Sequence, residues 1–339
     1  MSGSTISERI YLDHAATSPL RPEARAAMDE GFGLWANPSS PHAEGRKARA
    51  ALEDARERIK ASLGLGQRAK DYELIFTSGA SEALAIGLQR AKIDRQIVSA
   101  VEHDAVFRAA PDAQVFSDEC VFDDRTILAV QHVNSETGVI NPVGEMAETV
   151  KSTGALILSD CAQSAGKLEL PHADMLVVSA HKFGGPIGIG ALLVRDFNML
   201  DPIGGHERGY RQGTENLPGA MGMAAALEAG EWLTVPFQRE EFASQLSDYS
   251  LTIGKQVDYL LALTHPSMSA QALLIRLDAM GFDVSAGSAC SSGTLKKSRV
   301  LDAFGVSDDI AARTIRVSIG WNTTPEYLEK FADAWKSLT

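Results

Sequence analysis

The sequence predicts an α/β fold with a largely parallel sheet that is covered by helices on both faces. Six short β-rich runs alternate with helical or glycine-rich stretches between residues 72 and 194. Most of these runs are apolar throughout, which is typical of strands buried on both faces, and the alternation indicates a layered α/β domain. The runs are Glu73–Phe76, Gln96–Ser99, Ile127–Val130, Ala155–Leu158, Met175–Val178 and Ala191–Val194.

The remaining segments predict helices, a loop and a second β-containing region. Glu44–Leu63 carries apolar residues along one side and Arg and Glu along the other, as an amphipathic helix does. Residues 204–218 are polar, glycine-rich and without periodicity, which predicts a long loop. A strand is predicted at Thr314–Ile319, and Thr324-Pro325-Glu326 has the residue types that begin a helix.

The length of the chain predicts two domains. A chain of 339 residues exceeds one typical hydrophobic core. The β-rich runs give way to a mainly helical stretch, so we place the boundary near residue 225 and assign the N-terminal strand to the smaller domain. The prediction is a large domain at 14–225 and a smaller α+β domain formed by 1–13 with 226–339.

Charge and cysteine content exclude several classes of protein. The formal net charge of −12 argues against a general nucleic-acid or anionic-membrane surface, because both partners are themselves negative. Met1–Arg9 lacks the apolar stretch of a secretory signal, and no apolar run approaches the roughly 20 residues of a membrane helix. Cys120, Cys161 and Cys290 are odd in number and lack paired spacing. We therefore expect a cytoplasmic protein without a disulfide framework, a metal site, a nucleic-acid partner or a membrane anchor.

A run of small residues, Thr77–Glu82, directly follows one predicted strand and precedes an apparent helix. Small residues at such a turn let backbone N–H groups approach an anion, and the helix N-terminus adds favourable polarity. A plain strand-to-helix turn would use the same residue types. The pattern alone leaves both interpretations open.

Asp160 and Lys182 each follow an apolar run and lie 22 residues apart. That separation is about one strand–crossover–strand unit, so both should lie at neighbouring strand ends, where open α/β sheets bind ligands. Such a lysine could form a Schiff base beside a cofactor phosphate, and Asp160 could pair with a protonated ring nitrogen. An exposed loop lysine and a helix N-cap aspartate are the structural alternatives.

Cys290 lies in the segment Ser285–Gly293, which is rich in Gly, Ala and Ser. This composition is typical of an exposed loop, and exposure favours a reactive thiol over a packed one. Cys120 and Cys161 lie beside apolar runs, so packing is the better interpretation of both.

Together these segments resemble the NifS/IscS-type cysteine desulfurases, in the class V aminotransferase group of fold-type I pyridoxal-phosphate enzymes. The resemblance extends from Tyr11 through Ser318, most of the chain. Its most specific motifs occur in the family's order, at Thr77–Glu82, Ser179–Lys182, His206–Gly209 with Gly213-Thr214, and Gly287–Cys290. The fold that the resemblance implies has a large domain with a mostly parallel sheet and a smaller α+β domain.

The resemblance also implies the roles of individual residues. The catalytic residues would be Lys182, Cys290 and His103, and the substrate carboxylate would bind Asn37 and Arg316. Ser81 replaces the family's usual threonine, and Asn134-Ser135 stands where the family commonly has two asparagines. The cofactor pyridoxal 5'-phosphate would contact Lys182, Asp160 at the pyridine nitrogen, Gln163 at the phenolic oxygen, His103 on the ring, Asn134, Ser135, and, at the phosphate, Ala80, Ser81, Ser179, His181 and Thr214 contributed by a second subunit.

The implied activity is the conversion of L-cysteine to L-alanine by a homodimer. The Cys290 thiolate would attack the substrate sulfur and carry it as a persulfide to an acceptor protein, for iron–sulfur clusters or another thio-cofactor. His103 would be the acid/base group. Alternatives are a selenocysteine lyase or an aminotransferase of the same fold, and a non-catalytic paralogue that binds a partner. Cys290 disfavours transamination, and retention of both Lys182 and Cys290 disfavours a pure binding protein.

Overall fold

The computed structural model describes residues 9–286 and 298–339, which divide into two units. The larger unit comprises Thr17–Val133 and Asn141–Gly230. The smaller unit comprises Asn134–Ile140 and the described residues of 1–16 and 231–339. The division into 14–225 against 1–13 with 226–339 stays a prediction. It did not separate Asn134–Ile140 from the large domain, because a seven-residue excursion leaves no compositional signal.

The described residues form eleven β-strands. They are β1 (Ile10–Tyr11), β2 (Glu73–Thr77), β3 (Arg95–Val98), β4 (Gln114–Val115), β5 (Thr126–Ala129), β6 (Leu156–Asp160), β7 (Met175–Ser179), β8 (Gly190–Val194), β9 (Leu260–Thr264), β10 (Phe282–Asp283) and β11 (Thr314–Ser318). All six β-rich runs predicted between residues 72 and 194 are confirmed, with ends that differ by one or two residues. The predicted strand at Thr314–Ile319 is confirmed as β11.

The described residues also form eleven α-helices. They are α1 (Pro22–Gly33), α2 (Ala43–Ser62), α3 (Ala80–Gln89), α4 (Asp104–Ala109), α5 (Val143–Lys151), α6 (Leu217–Ala229), α7 (Pro236–Gln245), α8 (Ala270–Ala279), α9 (Arg299–Ala303), α10 (Asp308–Ala311) and α11 (Pro325–Leu338). Helices α2 and α11 are the two predicted from sequence. The predicted start of α11 is confirmed, since the side chain of Thr324 caps it by accepting the N–H of Tyr327 at 3.3 Å. None of the described helices is both long and apolar enough to span a bilayer.

A seven-stranded sheet forms the centre of the larger unit, in the order β2-β8-β7-β6-β5-β3-β4. Only β8 runs opposite to the others, since it pairs antiparallel with both β2 and β7. Helices cover both faces, which explains why the strands are apolar throughout. One face packs against residues of α1, α2, α5 and α6, and the other against α3 and α4. The predicted α/β fold with a largely parallel sheet is confirmed.

The smaller unit has two short two-stranded sheets. Strand β11 pairs antiparallel with β9, and β1 pairs parallel with β10. Isolated bridges join Asp13 to Ser318 and Ser285 to Arg316, which extends the pairing around β11. Helix α11 buries Leu328, Phe331 and Trp335 as the sequence spacing predicted.

Candidate active site

The candidate site in the larger unit lies at the carboxyl edge of the parallel strands. Strands β2, β3, β5, β6 and β7 all run in the same direction, so their carboxyl ends meet at one edge of the sheet. Asp160 ends β6 and Ser179 ends β7, and the two strands are neighbours. This is the edge at which open α/β sheets bind ligands, and it carries most of the residues predicted from sequence.

The turn after β2 brings backbone N–H groups close to Ser179. Gly79 has a φ of 152°, which favours glycine, and it precedes Ala80 and Ser81 in the first turn of α3. A Cβ atom built on Gly79 would lie 3.6 Å from the Ser179 hydroxyl oxygen. First-turn N–H groups lack partners within their own helix, so the turn and the hydroxyl together form an anion-binding arrangement.

Gly190 makes this convergence possible. It opens β8 and is paired with Thr77 on one side and with Ser179 on the other. A Cβ atom at position 190 would lie 2.6 Å from the Val178 carbonyl oxygen and 2.7 Å from the Gly79 Cα. Both neighbours are backbone atoms, which cannot move aside as a side chain can. The close approach therefore requires glycine at this position.

The segment that carries Lys182 is fixed through its main chain. Lys182 ends a short 3₁₀ turn that follows β7. Ser18 donates its backbone N–H to the His181 carbonyl at 2.7 Å and its hydroxyl to the Lys182 carbonyl at 3.2 Å. The His181 Nδ1 lies 3.1 Å from the Thr17 hydroxyl oxygen. Burial, together with the charges of Lys182 and Lys167, lowers the pKa of His181 to about 4, so the ring is neutral near pH 7.

Asp160 is a buried carboxylate close to two ionisable groups. Its Oδ1 accepts the N–H of Ala162 at 2.9 Å. Burial raises its pKa, while that N–H and the charges of His103 and Lys182 act in the opposite direction. Asp160, His103 and Lys182 are therefore near enough to interact electrostatically. The spacing of Asp160 and Lys182 predicted that these two lie at neighbouring strand ends, whereas His103 was expected only from the family resemblance.

His103 forms the N-cap of α4. Its Nδ1 accepts the N–H of Ala105 at 3.1 Å, which places the proton of the neutral ring on Nε2. Partial burial of the ring lowers the pKa of His103, although the residue remains exposed to solvent on one side. The Asp160 carboxylate opposes this shift, and the Lys182 ammonium adds to it. The ring is a neutral Nε2–H donor near pH 7.

Lys167 is a second amine that the sequence did not single out. It follows Gly166, where a Cβ atom would lie 3.3 Å from the Phe183 Cβ, so its backbone passes close to the residue after Lys182. Burial and, to a smaller extent, the Lys182 charge lower the pKa of Lys167 to about 7. A sequence shows only a lysine between a glycine and a leucine, with no sign of this proximity.

Arg316 is held inside the smaller unit. Its Nη2 lies 2.7 Å from the Asp13 Oδ1, and its Nη1 donates to the Ser135 carbonyl at 2.9 Å. Its Nε is buried and has no acceptor among the described residues. The Oδ1 of Asn134 accepts from the Thr137 N–H at 2.9 Å and from the Thr137 hydroxyl at 3.0 Å, so this amide oxygen is engaged within its own turn.

The other predicted residues are placed as follows. Gln163 is buried in the turn after β6. Asn37 is exposed between α1 and α2, where its Oδ1 accepts the N–H of Ser39 at 2.8 Å, and Thr214 is exposed on the loop before α6. Cys290 lies outside the described residues. Nothing in the described contacts joins Asn37 or Thr214 to Lys182, so their roles stay predictions.

Comparisons with known proteins agree with this geometry. An aminotransferase class-V family model matches residues 10–119 and 111–331. The cysteine desulfurase IscS of Dictyoglomus turgidum (strain DSM 6724 / Z-1310) is 33% identical, covering 97% of this chain and 94% of that protein. The IscS-like cysteine desulfurase of Mycobacterium tuberculosis (strain ATCC 25618 / H37Rv) is 34% identical over 91% of each chain. The chain belongs to the cysteine desulfurase family.

The solved structures extend this assignment to the fold. The X-ray structure of a NifS-like protein from Rickettsia africae ESF-5 superposes with a TM-score of 0.84 at 26% identity, covering 98% of this chain and 99% of that one. Membership of the cysteine desulfurase family confirms the resemblance read from the sequence motifs. Enzymes of this family depend on pyridoxal phosphate.

The larger unit of this cysteine desulfurase family member fits that cofactor. The turn at Gly79 and the Ser179 hydroxyl match a phosphate, and the absence of a side chain at Gly190 lets the Gly79 turn pack directly against the strand that ends at Ser179. The buried Asp160 carboxylate matches a protonated pyridine nitrogen, because a cation there would compensate its burial. Lys182 would supply the amine.

Sequence reasoning missed several polar residues around these groups. Asp13, which holds Arg316, lies inside the Tyr11–Thr17 segment of the resemblance but carries no signal of its own. Glu82 and Glu207 likewise lie within the motifs and were read only as part of them. Their partners are distant in sequence, and a single sequence does not show such pairs.

Proposed function

We propose that this protein is a pyridoxal-phosphate-dependent cysteine desulfurase that converts L-cysteine to L-alanine and transfers the sulfur through a persulfide on Cys290. The observation that supports this most strongly is the group formed by Asp160, His103 and Lys182 at the sheet edge, beside the Gly79 turn. Similarity to named cysteine desulfurases over more than nine-tenths of the chain points to the same activity.

The residues that would hold the cofactor follow from the likeness to the family. Lys182 would form the covalent link, Asp160 would pair with the pyridine nitrogen, and Gln163 would donate to the phenolic oxygen. Ala80, Ser81, Ser179 and His181 would bind the phosphate together with Thr214 of a second subunit, and Asn134 and Ser135 would complete the set. When bound, the cofactor acts as an electron sink that labilises the bonds at the substrate Cα and Cβ.

His103 is positioned to hold and move a proton. Its Nδ1 accepts the Ala105 N–H, so Nε2 carries the proton of the neutral ring and is the atom that can donate it. The pKa of the ring lies below its usual value, which keeps the ring neutral near pH 7, and it can accept a proton only at Nδ1, once the Ala105 hydrogen bond opens. A neutral imidazole can also stack on the cofactor ring without adding charge to it.

Arg316 and Asn37 bind the substrate carboxylate. The Arg316 guanidinium is already oriented by Asp13 and Ser135, and its buried Nε offers a donor for a carboxylate oxygen. The Cys290 thiolate then attacks the substrate sulfur, forming an S–S bond as the carbon–sulfur bond breaks. Cysteine and the enzyme thiol give alanine and the enzyme persulfide, so no external oxidant is required.

The proposed function is tested by colour and by product. The purified chain with added pyridoxal phosphate should show a visible absorbance band, and cysteine with dithiothreitol should yield equal amounts of alanine and sulfide. Lys182→Ala is the matched negative control, because it retains the fold and loses the amine. A wild-type chain that binds the cofactor and forms no alanine from cysteine would rule out the activity.

The assembly and the sulfur acceptor are part of the same proposal. We propose a homodimer in which Thr214 completes the phosphate site of the other subunit, and a cytoplasmic acceptor protein that serves iron–sulfur or other thio-cofactor synthesis. Thr214→Ala should weaken pyridoxal-phosphate binding without changing the size of the particle. Analytical ultracentrifugation of the active enzyme checks the dimer, and a fully active monomer would contradict it.

A further inference from the structure

Glu82 connects the proposed phosphate turn to a distant loop. It lies in the first turn of α3, where its Oε2 accepts the N–H of Ser78, the residue directly before Gly79. Its Oε1 accepts the Arg211 Nε at 3.0 Å. The carboxylate therefore bridges the turn and residue 211, although a negative charge beside a phosphate is unfavourable in itself.

The loop that supplies Arg211 has a defined and strained shape. Glu207 and Arg208 are consecutive non-glycine residues with φ of 49° and 57°. Residues with a side chain are strained in this region and persist there only where surrounding contacts enforce it. Two backbone hydrogen bonds between His206 and Arg211, at 2.8 and 3.3 Å, close the loop.

A buried ion pair anchors the same loop to the strand that enters the turn. Glu207 and Arg56 are both almost fully buried, with Oε–Nη distances of 2.9 and 3.2 Å. Glu207 also accepts the N–H of Phe76 at 2.8 Å. The loop thus holds β2 just before the turn through Glu207, and holds the turn itself through Arg211 and Glu82.

Protection of the sheet edge explains only part of this arrangement. Strand β2 is an edge strand, and contacts from Glu207 and Arg56 satisfy backbone groups along that edge. Ser78 lies beyond the end of β2, so edge protection gives no reason for the Glu82–Ser78 and Glu82–Arg211 contacts. These two contacts act on the turn alone.

We propose that Glu82 is a positioning residue for the cofactor phosphate: held by Arg211, it fixes the Ser78 N–H and thereby the orientation of the turn that binds the phosphate. This inference rests on the proposed function, since it assigns a residue to the phosphate site of that cofactor. The carboxylate acts through backbone geometry and does not contact the phosphate.

The sign of one substitution separates positioning from electrostatics. Glu82→Met removes a negative charge near the phosphate, so charge alone predicts tighter binding of pyridoxal phosphate. Positioning predicts weaker binding, because the Ser78 N–H loses its acceptor. Glu82→Gln removes the charge and keeps an acceptor for Ser78, so it should bind at least as tightly as wild type.

The experiment titrates the full chain, freed of cofactor with hydroxylamine, with pyridoxal phosphate and with pyridoxal, which lacks the phosphate. We expect Glu82→Met and Arg211→Met to weaken pyridoxal-phosphate binding by about tenfold, the size of one charge-assisted hydrogen bond, and to leave pyridoxal binding unchanged. Arg208→Met is the matched control. It removes an arginine of the same loop whose ion pairs go to Glu73 and Glu53, away from the turn.

The outcomes are distinct. Tighter or unchanged pyridoxal-phosphate binding by Glu82→Met would overturn the proposal, as would equal weakening of pyridoxal phosphate and pyridoxal. Should Glu82→Met fail to fold, Arg211→Met decides alone, because it leaves the Glu82–Ser78 hydrogen bond in place and removes only the partly buried ion pair. Wild-type protein that does not bind pyridoxal phosphate would instead refute the proposed function. The wild-type titration is therefore carried out before that of any variant.

Discussion

Asp13 holds the guanidinium of Arg316, with 2.7 Å between its Oδ1 and the Arg316 Nη2. The Ser135 carbonyl accepts a hydrogen bond from the Arg316 Nη1, and the buried Nε has no acceptor within residues 9–286 and 298–339. A guanidinium fixed at two of its nitrogens has little freedom to turn, so the direction in which it presents Nε is set before any ligand arrives. Asp13 therefore controls the residue that we assign to the substrate carboxylate.

We predict that Asp13→Asn raises the KM for cysteine by about tenfold and changes kcat little, because it loosens a group used in binding. Steady-state kinetics with cysteine as the varied substrate measures both constants. Asp283→Asn is the control, since it breaks an aspartate–arginine pair of the same unit, with Arg9, that is largely exposed. An unchanged KM in Asp13→Asn would contradict the assigned role of the pair.

Lys182→Ala should abolish the visible absorbance band of the bound cofactor. The amine at the strand end is the group that forms the covalent link, and some cofactor should still bind without it. Lys167→Met removes the neighbouring amine and should keep the band, which separates the two lysines. A band of unchanged intensity in Lys182→Ala would show that another amine carries the cofactor.

Cys290→Ser should keep the colour of the enzyme, release almost no sulfide from cysteine and carry no persulfide. The thiolate is the nucleophile, and serine does not replace it. Cys161→Ala should stay active, because burial raises the pKa of Cys161 to about 12 and leaves it a thiol near pH 7. Cys120→Ala should also stay active. Mass spectrometry that located the persulfide on Cys120 or Cys161 would refute the mechanism.

His132 predicts a loss of stability in mild acid. Its side chain is buried and its Nδ1 has no partner in the described parts of the chain, and burial lowers its pKa to about 4. The unfolded chain, with a pKa near 6.5, binds the proton more readily. The contribution of neutral His132 to the free energy of unfolding is therefore complete above about pH 6.5 and is lost as the pH falls toward 4.

Between about pH 7.5 and pH 5, this single group should lower the free energy of unfolding by about 2 kcal/mol. Urea unfolding of wild type and His132→Gln at the two pH values measures the effect, and the variant should lose less stability than wild type. His172→Gln replaces an exposed histidine and should behave as wild type. Identical acid sensitivity in wild type and His132→Gln would exclude His132 as the cause.

The sequence alone was sufficient to predict the strands of the large sheet and the placement of Asp160 and Lys182 at its carboxyl edge. Apolar runs bounded by small residues locate the strands, and the spacing of Asp160 and Lys182 places them on neighbouring strands, because parallel crossovers have a characteristic length. These signals are local or depend on separation along the chain, which a single sequence contains.

Contacts between distant segments were beyond the reach of the sequence. Glu207 and Arg56 are 151 residues apart, and Asp13 and Arg316 are 303 apart. The orphaned Nδ1 of His132 depends on how side chains pack around it, and the proton position on His103 depends on the Ala105 N–H. The contacts of Glu207, Asp13 and His132 are decided by tertiary packing, which residue type and periodicity do not reveal. The His103 contact is local, but a single sequence does not show that this histidine caps a helix.

Gly190 offers a practical criterion for judging other sequences. Any residue with a side chain there would collide with the backbone of Val178 and Gly79, so the two polypeptide segments could not approach each other as they do here. A related sequence that keeps the lysine but has a larger residue at this position would have to separate those segments. The phosphate-site residues assigned in this chain should then not be transferred to that related protein.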